Sequence, residues 1–399
     1  MKVVYFTQDF APLVGGVQTI VMELARGLVE WRDPLDGNSG RRFDVTVATR
    51  TPRGGMDDSA LPFRVLREPT LTQLFQLFRK ADVIHLAGAS IVPMVLGLSL
   101  QKPIIVEHHG YQAICPSGNY LHEPDKTACP GHFQNGNYAE CFRCGAVERS
   151  RFRSARNLTL LFPRRWLAKR VAANVAVSDH TGRRVALPRT QTIYHGIMET
   201  AWQDGAPVSG ASEPLVLAYV GRLVPDKGVD VLLRAAGDVK RAGSRFRLKI
   251  IGDGPERRRL ERLGEELQLK DCVVFIGYCE GSSLQKAMAD VSVTVMPSLW
   301  EEACPMTAIE QMMRGRLVIA TEIGGLGEVV GRTGLKFPPG DASALAECIK
   351  KAVNDRLLVA ALGDAARKRA LDMFREHQMV EKHIALYEQL ARVNGDGNA

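Results

Sequence analysis

Short β-branched runs alternate with amphipathic helical stretches along the whole chain. Ten runs are predicted to be strands: KVVYF, FDVTVAT, DVIHLAG, PIIVEHH and NVAVSD in the first half, and PLVLAYVG, FRLKIIGDG, CVVFIGY, VSVTVMPS and LVIATE in the second. Nearly continuous Val, Ile and Leu are typical of strands buried on both faces, as in parallel sheets. Because helical stretches such as TIVMELARGLVE separate these runs, the pattern predicts an α/β fold with doubly wound sheets.

The strand and helix series occurs twice, with a polar stretch of small residues, TAWQDGAPVSGASEP (200–214), between the two halves. Such a stretch lacks an apolar period and is typical of a linker. We therefore predict one Rossmann-like domain over 1–204, a second over 205–375, and a final segment over 376–399. Two such domains would bind a ligand in a cleft at the carboxyl ends of their strands.

Composition places the chain among ordinary globular proteins, with 45% apolar and 24% charged residues in 399. The start, MKVVYF, lacks the pattern of a signal peptide, and the apolar run 91–100 is too short to span a membrane. We therefore expect a cytoplasmic protein. Its thiols would then be reduced, which favours metal binding or free cysteines over disulfides.

The net charge of +8 favours anionic partners. Residues 149–170 carry eight Arg or Lys and no acid, interleaved with three aromatic residues, Phe152, Phe162 and Trp166. This segment is either a solvated helix face or a surface for an anionic acceptor or the inner face of a membrane. Charge alone also suggests nucleic acid, but no recognition module is present, so we expect no nucleic-acid partner.

Two stretches of the second half carry groups suited to phosphates and sugars. Arg222 and Lys227 bracket the turn GRLVPDKG directly after a strand, and a guanidinium with an ammonium suits a diphosphate. In PSLWEEACPMTAIEQMMRG, Pro305 is predicted to lie in the first helical turn. The amides of Met306 and Thr307 would then be available to phosphate.

Two glutamates of the second stretch, Glu302 and Glu310, are separated by seven residues. A carboxylate can accept two hydroxyl hydrogen bonds, so one is a candidate for a sugar and the other for a ribose diol. Taken alone, Glu310 is better interpreted as a solvated helix position.

Together these stretches resemble the retaining family 4 glycosyltransferases of the GT-B fold. The resemblance runs in order through GGVQTIVMELARGL, VGRLVPDKG, IIGDGPE, FIGY, MPSLWEEACPMTAIEQMMRG, ATEIGGLGEVV and TGLKFPPGD. It implies metal-independent transfer of a sugar from a UDP-, GDP- or ADP-sugar donor to a polysaccharide, glycolipid or small-molecule acceptor. It also implies that 1–204 is the acceptor side, that 205–375 binds the donor, and that the 376–399 helix crosses back to the first domain.

The resemblance assigns roles to individual residues. Arg222 and Lys227 would neutralise the donor diphosphate, Glu302 would bind the transferred sugar, and Glu310 would bind the ribose. His109 in VEHHG would approach the reacting sugar, with His108 as the adjacent competitor. The remaining donor-binding positions that it implies are Gly15, Gly16, Tyr278, Pro305, Met306 and Thr307.

Departures from the family pattern concern the donor sugar and leave alternatives open. His195 and Met198 in YHGIME stand where the family often has Asn and Asp, and ACPM replaces the commoner Gly-Phe-Gly. No Asp-x-Asp metal signature occurs in the chain. A non-hydrolysing sugar-nucleotide epimerase shares the architecture and is the main alternative. GDGPER lacks the third glycine of a dinucleotide fingerprint, which disfavours a dehydrogenase.

Four of the eight cysteines lie within the predicted insertion 115–144 of the first domain: Cys115, Cys129, Cys141 and Cys144. Only the last two have the spacing of a zinc arm. A structural zinc site, with His122 or His132 as substitute ligands, competes with free thiols and with disulfides. A closed four-ligand site would leave no position for catalysis, so we expect the insertion to stabilise a loop.

Overall fold

A computed structural model describes residues 1–32, 42–148, 150–198 and 213–396. Most of the predicted linker, the boundary at 204/205 and the last three residues lie outside the described residues. The chain separates into two compact units. The first comprises Met1–Pro124, Cys129–Met198 and Phe374–Ala399, and the second Asp125–Ala128 and Glu199–Met373.

The first unit is built on a parallel sheet of seven strands. The strands of this sheet are β1 (Lys2–Thr7), β2 (Asp44–Thr49), β3 (Arg64–Arg67), β4 (Val83–Ala87), β5 (Ile104–His108), β8 (Ala173–Ala176) and β9 (Thr190–Thr192). A separate two-stranded hairpin is formed by β6 (Leu121–His122) and β7 (Thr127–Ala128). The sheet order is β3-β2-β1-β4-β5-β8-β9, and β6 pairs with β7. The order therefore reverses between β1 and β4, as in doubly wound folds.

Helices flank this sheet because its strands are apolar on both faces. They are α1 (Gly16–Glu30), α2 (Leu71–Lys80), α3 (Ile91–Ser99), α4 (Tyr138–Glu148), α5 (Arg151–Ala168), α6 (Asp179–Val185) and α14 (Glu376–Asp396). The last helix packs on α1, where Gly27 leaves room for Val380: a Cβ on Gly27 would lie 2.5 Å from the Val380 Cγ2 atom. The chain enters α14 through a parallel bridge between Ile197 and Arg375.

The second unit repeats the architecture with a parallel sheet of six strands. Its strands are β10 (Leu215–Val220), β11 (Phe246–Ile251), β12 (Val273–Gly277), β13 (Val293–Met296), β14 (Leu317–Thr321) and β15 (Leu335–Phe337). Its helices are α7 (Val229–Arg241), α8 (Arg257–Glu266), α9 (Gly281–Met288), α10 (Met306–Met313), α11 (Gly324–Val330), α12 (Ala342–Asn354) and α13 (Arg356–Met373).

The second sheet has the order β12-β11-β10-β13-β14-β15. Its core is formed by buried side chains of β10, β11 and α7, among them Leu217, Ile250 and Leu232. The strand order reverses between β10 and β13, and ligands of such sheets bind beside the carboxyl ends of the strands at this point. The loops that follow β10 and β13 are therefore the ones that position the candidate site. The predicted α/β class with two Rossmann-like sheets is confirmed.

Candidate functional site

Two loops of the second unit meet at the point where the strand order reverses. The loop after β10 contains the predicted Arg222 and Lys227, and the loop after β13 contains Glu302. The Leu299 amide donates to the Asp226 carbonyl at 2.8 Å, which ties the loops together. Gly228 has φ +64°, and a Cβ there would lie 2.0 Å from the Pro297 carbonyl oxygen. Only glycine permits this close approach.

Lys227 and Glu302 form an ion pair across these loops, with Nζ 2.9 Å from Oε1. Both side chains are largely buried, with 17% and 9% exposed. The Ser298 hydroxyl donates to the same carboxylate oxygen, and Lys227 also lies 5.5 Å from the centre of the Trp300 ring. The predicted cation and carboxylate are thus brought together in one preformed cluster.

Arg222 lies on the same loop, two residues after β10, and its side chain is exposed. Its backbone is fixed by Tyr219, whose hydroxyl donates to the Arg222 carbonyl at 2.7 Å. Burial raises the pKa of Tyr219, with a further contribution from Glu302. The phenol therefore stays protonated and remains a donor. The loop thus presents an exposed guanidinium near an ammonium that already has a carboxylate partner.

Helix α10 begins one residue later than predicted. Pro305 precedes the helix rather than lying in its first turn, and Met306 and Thr307 are the first two helical residues. Amides at these two positions have no acceptor within the helix. Glu310 lies on the same helix and is half-buried, so the interpretation as a solvated position is wrong. Burial raises the pKa of its carboxyl, while Arg314 acts in the opposite direction.

The remaining predicted donor residues lie at strand ends. Tyr278 directly follows β12, is exposed, and donates to the Glu280 carboxylate at 2.7 Å. In the first unit, Gly16 opens α1 and Gly15 caps it. Gly15 has φ 174°, an extended conformation that any residue adopts. A glycine is therefore not required there by backbone conformation.

The first unit also contains a buried cluster that sequence reasoning missed. The Glu107 carboxylate on β5 accepts a hydrogen bond from the Tyr5 hydroxyl of β1 at 2.6 Å. His85 of β4 and His109 each place Nε2 3.3 Å from the same oxygen, and His383 of α14 lies 3.7 Å from the other oxygen. Adjacent strands and the returning helix thus surround one carboxylate.

Electrostatics keeps this carboxylate charged. Burial raises the pKa of Glu107, but the nearby imidazoles of His109, His85 and His383 outweigh this effect, and the pKa falls well below the ordinary value. Burial lowers the pKa of His85, and lowers that of His383 to about 4. Two neutral imidazoles therefore lie against an ionised carboxylate.

His109 lies between two partners of the first unit. Its Nδ1 atom is 3.1 Å from the His195 Nε2 atom, and its Nε2 atom is 3.3 Å from Glu107. The competitor, His108, is buried and its Nε2 atom lies 2.9 Å from the Asn174 side-chain oxygen. His108 is thus a core residue. Both ring nitrogens of His109 lie beside protein groups, so contact with a sugar would require the ring to leave one of them.

Two trios of this cluster have the donor set of a metal site. They are His85, Glu107 and His383, and Glu107, His109 and His195, whose ligand atoms lie within 4.8 Å of one another in each trio. A signal for the cluster exists in the sequence. Tyr5, His85 and Glu107 are polar positions inside otherwise apolar strands, and such positions need partners when they are buried.

The basic segment forms helix α5, and two of its arginines bind backbone carbonyls. Arg164 donates to the Gln112 carbonyl at 3.3 Å, and Arg165 to the Val185 carbonyl at 2.8 Å. These two are therefore structural. Phe152 and Trp166 are 77% and 53% exposed on the same helix. In the part of the chain that the structure describes, every helix is too short or too polar to cross a bilayer.

Comparisons with known proteins agree with this architecture. The model of the family described as glycosyl transferases group 1 matches residues 206–369. The 2-deoxystreptamine glucosyltransferase of Streptomyces kanamyceticus is 30% identical over 61% of this chain and 63% of its own length. WcaL of Escherichia coli K12, a glycosyltransferase named for colanic acid biosynthesis, is 34% identical over 35% of this chain and 36% of its own length. The chain thus spans less than two thirds of either relative.

A solved structure has the same fold as nearly the whole chain. HepE of Anabaena, in complex with UDP, superposes with a TM-score of 0.72 over 98% of this chain and 100% of HepE, at 17% identity. At this identity the likeness shows the fold alone, which is the two-sheet architecture described above. Residues 206–369 are thus similar to the group 1 glycosyl transferases, and the two-sheet architecture of the chain is the fold of HepE.

Proposed function

We propose that the protein transfers a sugar from a nucleotide-sugar donor to a carbohydrate or lipid-linked acceptor, with retention of configuration and without a catalytic metal. The observation that carries the proposal is the Lys227–Glu302 pair beside the exposed Arg222, at the strand ends of the second unit. A cation, a carboxylate and helix amides at one edge match a diphosphate joined to a hydroxyl-rich sugar.

Charge stabilisation would be the main catalytic term. When the bond between the anomeric carbon and the phosphate breaks, negative charge develops on the departing nucleotide diphosphate. Arg222, Lys227 and the amides of Met306 and Thr307 would stabilise that charge, because preorganised donors act strongly where charge develops. The departing phosphate would take the acceptor proton as the acceptor attacks the same face of the sugar.

Lys227 has a second task in this scheme. In the free protein it pairs with the largely buried carboxylate of Glu302 at 2.9 Å. When a donor diphosphate binds, Lys227 would turn toward the phosphate, and Glu302 would accept sugar hydroxyls in its place. Glu310, whose pKa is raised by burial, would accept the ribose hydroxyls in its ionised form.

The acceptor is proposed from the relatives and from helix α5. WcaL is named for colanic acid biosynthesis, so a polysaccharide acceptor is one candidate. The exposed Phe152 and Trp166 on a basic helix suit an acceptor held at an anionic membrane surface. Arg164 and Arg165 would not serve this surface, since they bind backbone carbonyls.

The experiment that tests the proposal begins with thermal shifts of the full chain with UDP, GDP and ADP and their sugars, followed by mass spectrometry of products. We expect one nucleotide to stabilise the protein and its sugar to appear on an acceptor. Lys227→Ala should lower turnover by a factor of about 100 to 1,000. Lys270→Ala, which removes an exposed lysine paired with Glu265, is the matched control and should not.

Two outcomes would contradict the proposal. Conversion of the nucleotide sugar without an acceptor would indicate the epimerase, and equal activity of Lys227→Ala and the control would remove the mechanism. For the membrane surface, a double change of Phe152 and Trp166 to Ser should weaken binding to anionic vesicles. The exposed Phe75 of α2, changed to Ser, is the control, and equal binding by both variants would remove the membrane surface.

A further inference from the structure

Four cysteines from separate parts of the insertion converge on one cavity in the structure. Cys115 follows the turn after β5, Cys129 follows the β6–β7 hairpin, and Cys141 and Cys144 lie three residues apart on α4. All four are buried, and with His132 they line a cavity of about 20 Å³. A space of this size holds a water molecule or a single ion and is too small for an organic ligand.

Backbone groups contact two of these sulfurs. The Glu123 amide donates to the Cys144 sulfur at 3.3 Å, and the amides of Gly131 and His132 donate to the Cys129 sulfur. The Cys144 thiol itself donates to the Leu121 carbonyl at 3.4 Å. A thiol is a weak acceptor, whereas a thiolate accepts such bonds strongly. Backbone amides directed at sulfur are the outer-shell bonds that tune metal–thiolate centres.

The chemistry of the four side chains indicates which cation they suit. A soft dication such as zinc holds cysteine ligands as thiolates. All eight cysteines are free thiols in the structure.

We propose that Cys115, Cys129, Cys141 and Cys144 together bind one Zn²⁺ ion in a closed, structural site. Four thiolates satisfy the tetrahedral preference of zinc and leave no position for a substrate. His132 also lines the cavity, but four cysteine sulfurs already complete a tetrahedral set. The site is independent of the sugar-transfer proposal.

The zinc site would hold helix α5 in place. Phe133, between Cys129 and Cys141, packs on Phe162 of α5 with ring centres 5.1 Å apart, and Tyr138 of α4 packs on the same ring at 5.1 Å. Phe133, Cys141 and Leu161 of α5 form one buried cluster. Loss of the metal would therefore release the support of the exposed basic helix.

The test is metal analysis of the full chain, purified without chelators or a histidine tag. We expect about one zinc per chain. The double variant Cys141→Ser, Cys144→Ser should lose the zinc, while Cys272→Ser, which changes a thiol outside the cluster, should retain it. Protein grown with Co²⁺ in place of zinc should show the intense visible absorption of a tetrahedral cobalt–thiolate centre.

If the double variant fails to fold, a conservative substitution still tests the zinc site. Cys144→His keeps a zinc ligand and should retain the metal, whereas Cys144→Ser should not. In native wild-type protein, a thiol-blocking mercurial should release the zinc in step with the cysteines that it modifies.

Three results would overturn the assignment. The first is that wild-type protein contains no zinc, or contains iron instead of zinc. The second is that the double variant retains zinc, which would locate the metal elsewhere, for example at His85, Glu107 and His383. The third is a disulfide among the four cysteines in the mass spectrum of unreduced protein.

Discussion

The ion pair between Lys227 and Glu302 makes the sharpest prediction for the candidate site. The perturbation is a double-mutant cycle of Lys227→Met and Glu302→Gln, which removes each charge while keeping much of its side-chain volume. At 2.9 Å and an effective dielectric constant near 20, the Coulomb attraction is about 6 kcal/mol. Desolvation of both groups offsets most of this gain.

The magnitude follows from the exposure of the two side chains. With 17% and 9% exposed, the pair is neither a surface bridge nor fully buried, so we expect a coupling free energy of about 1–3 kcal/mol. The matched control is Lys270→Met with Glu265→Gln, a pair at 3.0 Å whose side chains are 75% and 59% exposed. Its coupling should stay below about 1 kcal/mol.

The assay is urea unfolding of the four proteins of each cycle, followed by titration with the nucleoside diphosphate that gives the largest thermal shift. Lys227→Met should weaken that binding by a factor of about 10 to 100, since a hydrogen bond between charged groups contributes about 1.5–3 kcal/mol. Equal coupling in the two cycles would refute the preformed pair. Unchanged nucleotide affinity in Lys227→Met would refute its role at the diphosphate.

Three further predictions concern buried ionisable groups. Glu107→Ala should lower the free energy of unfolding by about 3–5 kcal/mol, because it leaves the buried polar groups around it without their carboxylate; a loss below about 1 kcal/mol in urea unfolding would contradict this. Burial lowers the pKa of His383 and of His108 to about 4. Between about pH 6.5 and 4 the unfolded chain therefore binds more protons than the folded chain. The free energy of unfolding should fall by up to about 1.4 kcal/mol per pH unit for each histidine as the pH drops through this range. Thermal unfolding against pH should show a smaller slope for His383→Gln and an unchanged one for the exposed His377→Gln; equal slopes would contradict the assignment. Because the pKa of Glu310 is raised, nucleotide affinity should fall on acidification at a higher pH than it would with an ordinary carboxyl. Glu310→Gln should weaken nucleotide binding about tenfold and remove this pH dependence. A pH dependence that persists in Glu310→Gln would contradict the prediction.

The buried strands could be predicted from the sequence and several edge strands could not. The runs at β10 and β13 are continuous in apolar residues and carry the signal of a strand covered on both faces. By contrast, β3 reads RVLR, β9 reads TQT and β15 reads LKF. These three lie at or near sheet edges, and they pair because a neighbouring strand offers hydrogen bonds, which local sequence does not encode.

The candidate site was predictable residue by residue but not as an assembly. Lys227 and Glu302 each carry a motif signal, yet they are 75 residues apart. Their meeting depends on β10 and β13 being neighbours in the sheet, which follows from strand order and not from spacing. The position of Pro305 was wrong by one residue because helix starts are set by local backbone geometry that composition leaves open.

The structure gives a physical reason for the histidine at position 195, which the sequence alone did not. In the sequence it is a histidine where related chains often have asparagine, and it was associated with the donor sugar. In the structure it lies 3.1 Å from the Nδ1 atom of His109, whose other nitrogen lies beside Glu107. His109 thus lies between His195 and Glu107, and the three side chains form one set of contacts. The identity of residue 195 is therefore tied first to His109 and Glu107, and a sugar preference would have to act through them.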